Sequence, residues 1–122
     1  MTLYAALLYY PPGRYWLDAA EEHTAAGYAA FFEAAAAAAV LRGGEALQPA
    51  NSATTVALTG GEGGEVRTVA GPAAAGPDIL GGFYLIEAAS LDEAITWAAR
   101  IPASWRGKIE LRPVVPMSNK PG

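Results

Sequence analysis

The sequence predicts an α+β domain: one antiparallel sheet with two helices packed on a single face. Three observations lead there. Short β-type runs and two helical patterns alternate along 122 residues, in the order strand, helix, two hairpin strands, strand, helix, strand. The chain is 52% hydrophobic and 16% charged, a balance that folds around a core instead of staying disordered. The first strand is apolar on both parities, so its sheet expects cover on both faces.

That first run is Thr2–Tyr10, nine residues stopped by Pro11-Pro12-Gly13. Leu3, Ala5, Leu7 and Tyr9 share one face, and Tyr4, Ala6, Leu8 and Tyr10 the other. From Leu17 to Val40 the pattern turns helical. At about 100° per residue, Leu17, Thr24, Tyr28, Phe32, Ala35 and Ala39 fall on one stripe. Asp18, Glu21 and Glu22 crowd the first turn, where the helix dipole favours acids. Ala34–Ala39 is a run of the best helix former, with little side chain to bury, which predicts a close approach to the sheet. Arg42-Gly43-Gly44 is the expected helix stop. The 28 alanines in the chain read as coding bias and carry no functional signal.

Glu45–Pro49 reads as a short extended segment. Thr54–Thr59 and Glu65–Ala70 are β-type runs joined by Gly60-Gly61-Glu62-Gly63-Gly64, a hairpin with a loose glycine tip. Residues 71–82 form a long loop with four glycines and two prolines, and loops of this length are functional or mobile. Phe83–Glu87 is a strand. Ser90-Leu91-Asp92-Glu93 is a capping box opening a helix to Arg100, with Leu91, Ala94, Ile95 and Ala98 as its buried stripe. Ile109–Val115 is the last strand. Residues 1–115 are expected to form a single domain, with 116–122 as a flexible tail.

This order suits a ferredoxin-like antiparallel sheet with both helices on one face. The other face would be bare, and a second copy of the chain is its simplest cover. The pattern therefore predicts a homodimer, a dimeric α+β barrel whose two sheets pack face to face around an enclosed space.

Composition removes several functions. No cysteine means no disulfide, no thiolate catalysis and no sulfur-ligated metal. One histidine, His23, excludes a multi-histidine metal site within one chain. The net charge of -4 with no basic cluster argues against direct nucleic-acid binding. No signal-peptide pattern opens the chain, and no run of about 18 apolar residues suggests a membrane span. The expectation is a soluble cytoplasmic protein without metal or cofactor.

Several phrases resemble a known family. They are Leu41-Arg-Gly-Gly-Glu-Ala-Leu-Gln-Pro49, Ala53-Thr-Thr-Val56, Leu80-Gly-Gly-Phe-Tyr-Leu-Ile-Glu87, Leu91-Asp-Glu-Ala-Ile-Thr-Trp-Ala-Ala-Arg-Ile-Pro102 and Ile109-Glu-Leu-Arg-Pro-Val114. In that order they resemble the YCII-related, DGPF-domain family over nearly the whole chain, least over residues 11–25. The resemblance implies the same ferredoxin-like fold and dimeric barrel. It implies little about activity: some relatives are small-molecule lyases or dehydrochlorinases, and DGPF members carry a transcription-linked label from their neighbourhood with sigma factors. The family's naming motif runs D-G-P-F-A-E-T-K-E-x-L-G-G. Here those positions read Ala70-Gly-Pro-Ala-Ala-Ala-Gly-Pro-Asp-Ile-Leu-Gly-Gly82. Gly71, Pro72 and Leu80-Gly81-Gly82 survive, while Ala70, Ala73, Ala75 and Pro77 replace the motif's aspartate, phenylalanine, first glutamate and lysine. Asp78 alone keeps a carboxylate. The helical histidine proposed for one half of the catalytic dyad in core YCII proteins falls on Tyr28.

The candidate residues each carry two readings. Asp78, in the glycine loop, is either a general base or ligand-orienting carboxylate at the barrel mouth, or a solvated turn residue. Glu110 and Arg112 alternate with Ile109 and Leu111, so the charges share one strand face. If the aliphatics meet the helices, the charges point into the barrel, where the guanidinium can grip a carboxylate, phenolate or enolate. Otherwise they form a structural ion pair. Tyr28 is either an oxyanion donor or a core phenol with a satisfied hydroxyl. Tyr84 and Trp97 are pocket walls or core. His23 lies about 140° from the stripe through Tyr28 and should face solvent. Gly60–Gly64 lacks the Lys, Thr and following helix of a phosphate loop.

Three functions follow. The chain is a cofactor-independent isomerase, cyclase or lyase acting on a hydrophobic metabolite in the barrel, with Asp78 and Tyr28 catalytic and Arg112, Glu110 and Tyr84 binding. Alternatively, it is a non-catalytic binding or accessory protein, as the stripped motif loop suggests, or a structural dimer without ligand.

Overall fold

The computed structural model describes residues 1–12, 22–74 and 76–116. Leu17, Asp18 and Glu21 lie outside these residues, as do the side chains of His23 and Thr24. The chain forms β1 (Thr2–Tyr10), α1 (Glu22–Ala37), β2 (Leu41–Ala46), a 3-10 turn (Ala50–Ser52), β3 (Thr54–Thr59), β4 (Glu65–Ala70), β5 (Ile79–Ala88), α2 (Leu91–Ala98), α3 (Ala103–Arg106) and β6 (Lys108–Pro113). Four strands make the main sheet in the order β2-β5-β1-β6, every neighbouring pair antiparallel. This is the ferredoxin-like topology, with the β3–β4 hairpin added as a separate two-stranded sheet.

One parity of the sheet meets the helices. Tyr4, Ala6 and Leu8 of β1 and Ile86 and Ala88 of β5 are buried, and they pack with Phe31 and Ala35 of α1 and Ala94 of α2. Ile109 and Leu111 of β6 lean on this core. Close-packed small residues let the layers approach. A Cβ on Gly27 of α1 would stand 2.6 Å from the Trp105 ring, so glycine lets α1 and α3 touch.

The helix boundaries differ from the sequence expectation. α1 ends at Ala37, not at the Arg42-Gly43-Gly44 stop. Ala39 takes the left-handed conformation (φ 56), Val40 is buried, and Leu41 pairs with Ile86 of β5. Strand pairing and the burial of Val40 override the alanine run's propensity, since alanine offers the core so little. Arg42 braces the turn that follows the helix: its Nη1 donates to the Ala39 carbonyl at 2.7 Å. The glycines serve β2 instead. A Cβ on Gly44 would come within 2.4 Å of the Phe83 carbonyl oxygen, so glycine is what lets β2 lie against β5.

The α1 stripe is also corrected. Phe31 and Ala35 are the buried pair, whereas Phe32 is 40% exposed and Ala39 has left the helix. Tyr28, Phe31 and Ala35 are spaced i, i+3, i+7, so the expected stripe keeps Tyr28 and Ala35 and takes Phe31 in place of Phe32. In α2 the Ser90 cap forms, with the Glu93 amide donating to Ser90 Oγ at 3.2 Å, while Glu93 Oε2 reaches one residue further back than a capping box expects and accepts from the Ala89 amide at 3.2 Å. Ala94 and Ala98 are buried as expected, but Leu91 and Ile95 are about half exposed. The helix stops at Ala98, and a short α3, absent from the sequence reading, follows Pro102. β5 begins at Ile79, so the long loop shrinks to residues 71–78.

Candidate functional site

The sheet face turned away from the helices has no cover within the described residues. β1 contributes Leu3, Ala5, Leu7 and Tyr9, all half-buried. Cross-strand register sets Leu85 beside Ala5 and Phe83 beside Leu7. On the other side, Arg112 stands beside Ala5, Glu110 beside Leu7 and Lys108 beside Tyr9. Glu45 of β2 and Glu87 of β5 complete the face. Its centre is therefore apolar and its edges are charged.

All of the edge charges but Glu45 are paired. Arg112 holds Glu110 through two contacts to Oε2, one from Nε at 3.0 Å and one from Nη2. Lys108 Nζ lies 3.0 Å from Asp78 Oδ2, tying the residue before β5 to the start of β6. Arg42 Nε lies 3.0 Å from Glu87 Oε2. All three pairs are well exposed, so each adds little to stability. Their consequence is chemical: the three pairs are neutral and leave Glu45 as the excess charge of the rim, and Arg112 keeps N–H donors that Glu110 does not use.

Tyr28 and Tyr84 lie on the opposite side of the sheet, among aromatic rings. Phe31 sits 5.6 Å from Tyr84 and 6.4 Å from Trp97, and Phe32 sits 5.6 Å from Tyr84 and 6.3 Å from Tyr28, between ring centroids. Burial raises the Tyr28 hydroxyl above its ordinary value, offset in part by a hydrogen bond with the Ala103 backbone. Burial, and then the repulsion expected from an ionised Tyr28, pushes Tyr84 up to about 12. Both phenols stay protonated at neutral pH, and the Tyr28 oxygen accepts from the Ala103 backbone, the sense of bond that favours the ionised form.

The five sequence-predicted residues thus fall into separate neighbourhoods. Glu110 and Arg112 meet each other on the open face as an ion pair, while Ile109 and Leu111 meet the helix side. Tyr28 and Tyr84 meet each other in the helix layer. Asp78 meets Lys108, which sequence reasoning missed although it continues the period-two series with Glu110 and Arg112. The Arg42–Glu87 pair, 45 positions apart in sequence, had no local signal. Among the described residues no three His, Asp or Glu side chains gather to hold a metal ion. No helix among them is long and apolar enough to cross a membrane.

Sheet order, one-sided helices and an apolar open face define a ferredoxin-like α+β domain. Over residues 2–118 the chain matches the model of the YCII-related domain, and it belongs to that family. No curated protein matches the chain.

Proposed function

We propose that this chain is a small-molecule-binding protein that works as a homodimer, the open sheet faces of two copies enclosing a cavity for a hydrophobic metabolite. The open face carries this reading. Leu3, Leu7, Phe83 and Leu85 form a contiguous apolar surface on a sheet whose other side is already filled by helices. Such a surface on a soluble domain marks an interface or a ligand site, and face-to-face packing of two copies makes it both. Arg112 is the group that orients the ligand. Its guanidinium stands at the apolar centre's edge, neutralised by Glu110, so it offers hydrogen bonds without an unpaired charge. An uncharged or weakly acidic oxygen, such as a phenol or an enolisable carbonyl, suits that partner better than a strong anion. The separation of Tyr28 and Tyr84 from this face favours binding over acid–base catalysis by a shared dyad.

Extraction of purified protein with organic solvent, followed by mass spectrometry, tests the reading. A hydrophobic molecule bound to wild type, and reduced at least about tenfold in Arg112→Ala and Leu85→Glu, supports it. Equal loading in all three proteins, or no bound molecule from a stable dimer supplied with its host's metabolite extract, contradicts it.

A further inference from the structure

Strand β5 switches faces near its start. Leu8 of β1 lies opposite Gly82, but Tyr9 lies opposite Leu80, so Gly81 is an extra residue, a β-bulge. Beyond the bulge the even-numbered residues Tyr84, Ile86 and Ala88 turn to the helices. Ahead of it the parity is reversed. Leu80 comes beside Tyr9 on the open face and is 42% exposed, and Asp78, two residues earlier, follows it. The bulge is pinned: the Gly81 carbonyl accepts from the Leu47 amide at 2.9 Å, and a Cβ on Gly81 would stand 2.7 Å from the Tyr10 ring. Without the extra residue, Asp78 would fall on the helix side. With it, the carboxylate reaches across β1, at the level of Tyr9, to Lys108 Nζ at 3.0 Å. An exposed pair of this kind adds little stability, and bulges that re-aim a side chain recur beside functional sites.

We propose that the Asp78–Lys108 pair forms the second polar end of the ligand site, which takes an elongated apolar molecule with an oxygen acceptor at one end and a hydroxyl at the other. The inference rests on the binding face proposed above and names its ligand class. Lys108 and Arg112 share the open side of β6 four positions apart, which at strand rise is about 13 Å. The floor beside them is apolar, with Ala5 and Leu7 on β1 and Phe83 and Leu85 on β5. Arg112 takes the acceptor. At the other end Lys108 keeps N–H groups that Asp78 does not use, and the carboxylate keeps lone pairs. A hydroxyl both donates and accepts, so it satisfies the two together. A carboxylate placed there is repelled by Asp78, and an ammonium by Lys108.

Calorimetric titration of the full chain tests this with para-hexylphenol, whose length is close to that span, and with its derivatives bearing a hydroxyl or a carboxylate on the last chain carbon. Asp78, Lys108 and Glu45 are all exposed, so circular dichroism should show every variant folded. Wild type is expected to bind the hydroxyl-ended probe at least about tenfold more tightly than either of the others. Lys108→Met/Asp78→Leu should bring the hydroxyl-to-methyl ratio to within about twofold of one. Asp78→Ala leaves the ammonium unpaired and should turn the preference to the carboxylate-ended probe, a switch that a merely structural pair would not produce. Glu45→Gln, on the same face but at neither end, should keep the wild-type order. Binding of all three probes with no preference in wild type, or a preference that the double variant leaves unmoved, overturns the second end and leaves the binding face standing. A wild type that binds none of the three overturns both.

Discussion

The two faces of the main sheet share the same strands and nearly the same apolar content, yet only one is filled by the chain itself. On β1, Tyr4, Ala6 and Leu8 are buried beneath the helices, while Leu3, Ala5, Leu7 and Tyr9 stay half-buried on the other side. β5 repeats the contrast, with Ile86 and Ala88 covered and Phe83 and Leu85 not. Strands facing water on one side normally alternate apolar with polar residues. β1 does not, and that is the pattern behind the proposal that a second copy covers this face. The covered face holds the fold together, and the open face is the one that carries the proposed binding site.

The largest effect that can break this comparison is on the covered face. Phe31→Ala removes a ring that is 1% exposed and should cost about 3–5 kcal/mol in urea unfolding, at any protein concentration. Leu85→Ala on the open face should cost under about 1.5 kcal/mol when the chain is dilute, and more as concentration rises, because its contacts are then with a second copy. Equal, concentration-independent costs would erase the distinction between the faces.

A smaller effect tests how the helix layer is held. Ser90→Ala removes the α2 cap and should lower stability by about 1 kcal/mol. The dimer dissociation constant should not move, since α2 lies on the far side of the sheet.

The aromatic cluster predicts a pH dependence. The Tyr84 phenol is raised in the fold from 10.0 to about 12. Its contribution to stability is therefore fully present below pH 10 and is lost as pH rises through about 12. Thermal unfolding followed from pH 9 to 12 should show this loss, and Tyr84→Phe should blunt it. An ultraviolet titration in which every tyrosine of the folded protein ionises near pH 10 would contradict the burial of this ring.

The smallest effect on stability is expected at the rim. Arg112→Ala breaks an exposed pair and should change unfolding free energy by less than about 1 kcal/mol, while ligand loading falls. A large loss of stability would make the pair a structural element and not a ligand contact.

Much of the fold was legible because local patterns carried it. The unbroken apolar run of β1, the period-two alternation of β6, the Ser90–Glu93 box and the glycine-tipped hairpin all act within a few residues. What escaped depends on distant partners. The alanine run gives no stop signal, so the end of α1 was set by Val40 and Leu41 docking on β5. Leu91 and Ile95 matched a buried stripe by spacing, but the sheet accepts the small Ala94 and Ala98 there and leaves the larger pair outside. Of the site, the Glu110–Arg112 face was readable from strand parity. That Tyr84 joins Tyr28 in the helix layer was not, because it depends on which parity of β5 the helices cover. Lys108 as the partner of Asp78 joins residues 30 positions apart and had no sequence signal.

Native mass spectrometry of the protein purified from its own host, set against its denatured mass, tests the central claim most directly. The account predicts a species at twice 12.6 kDa with additional mass that denaturation releases as a small molecule. A species at the monomer mass, without adduct at every concentration sprayed, would contradict it.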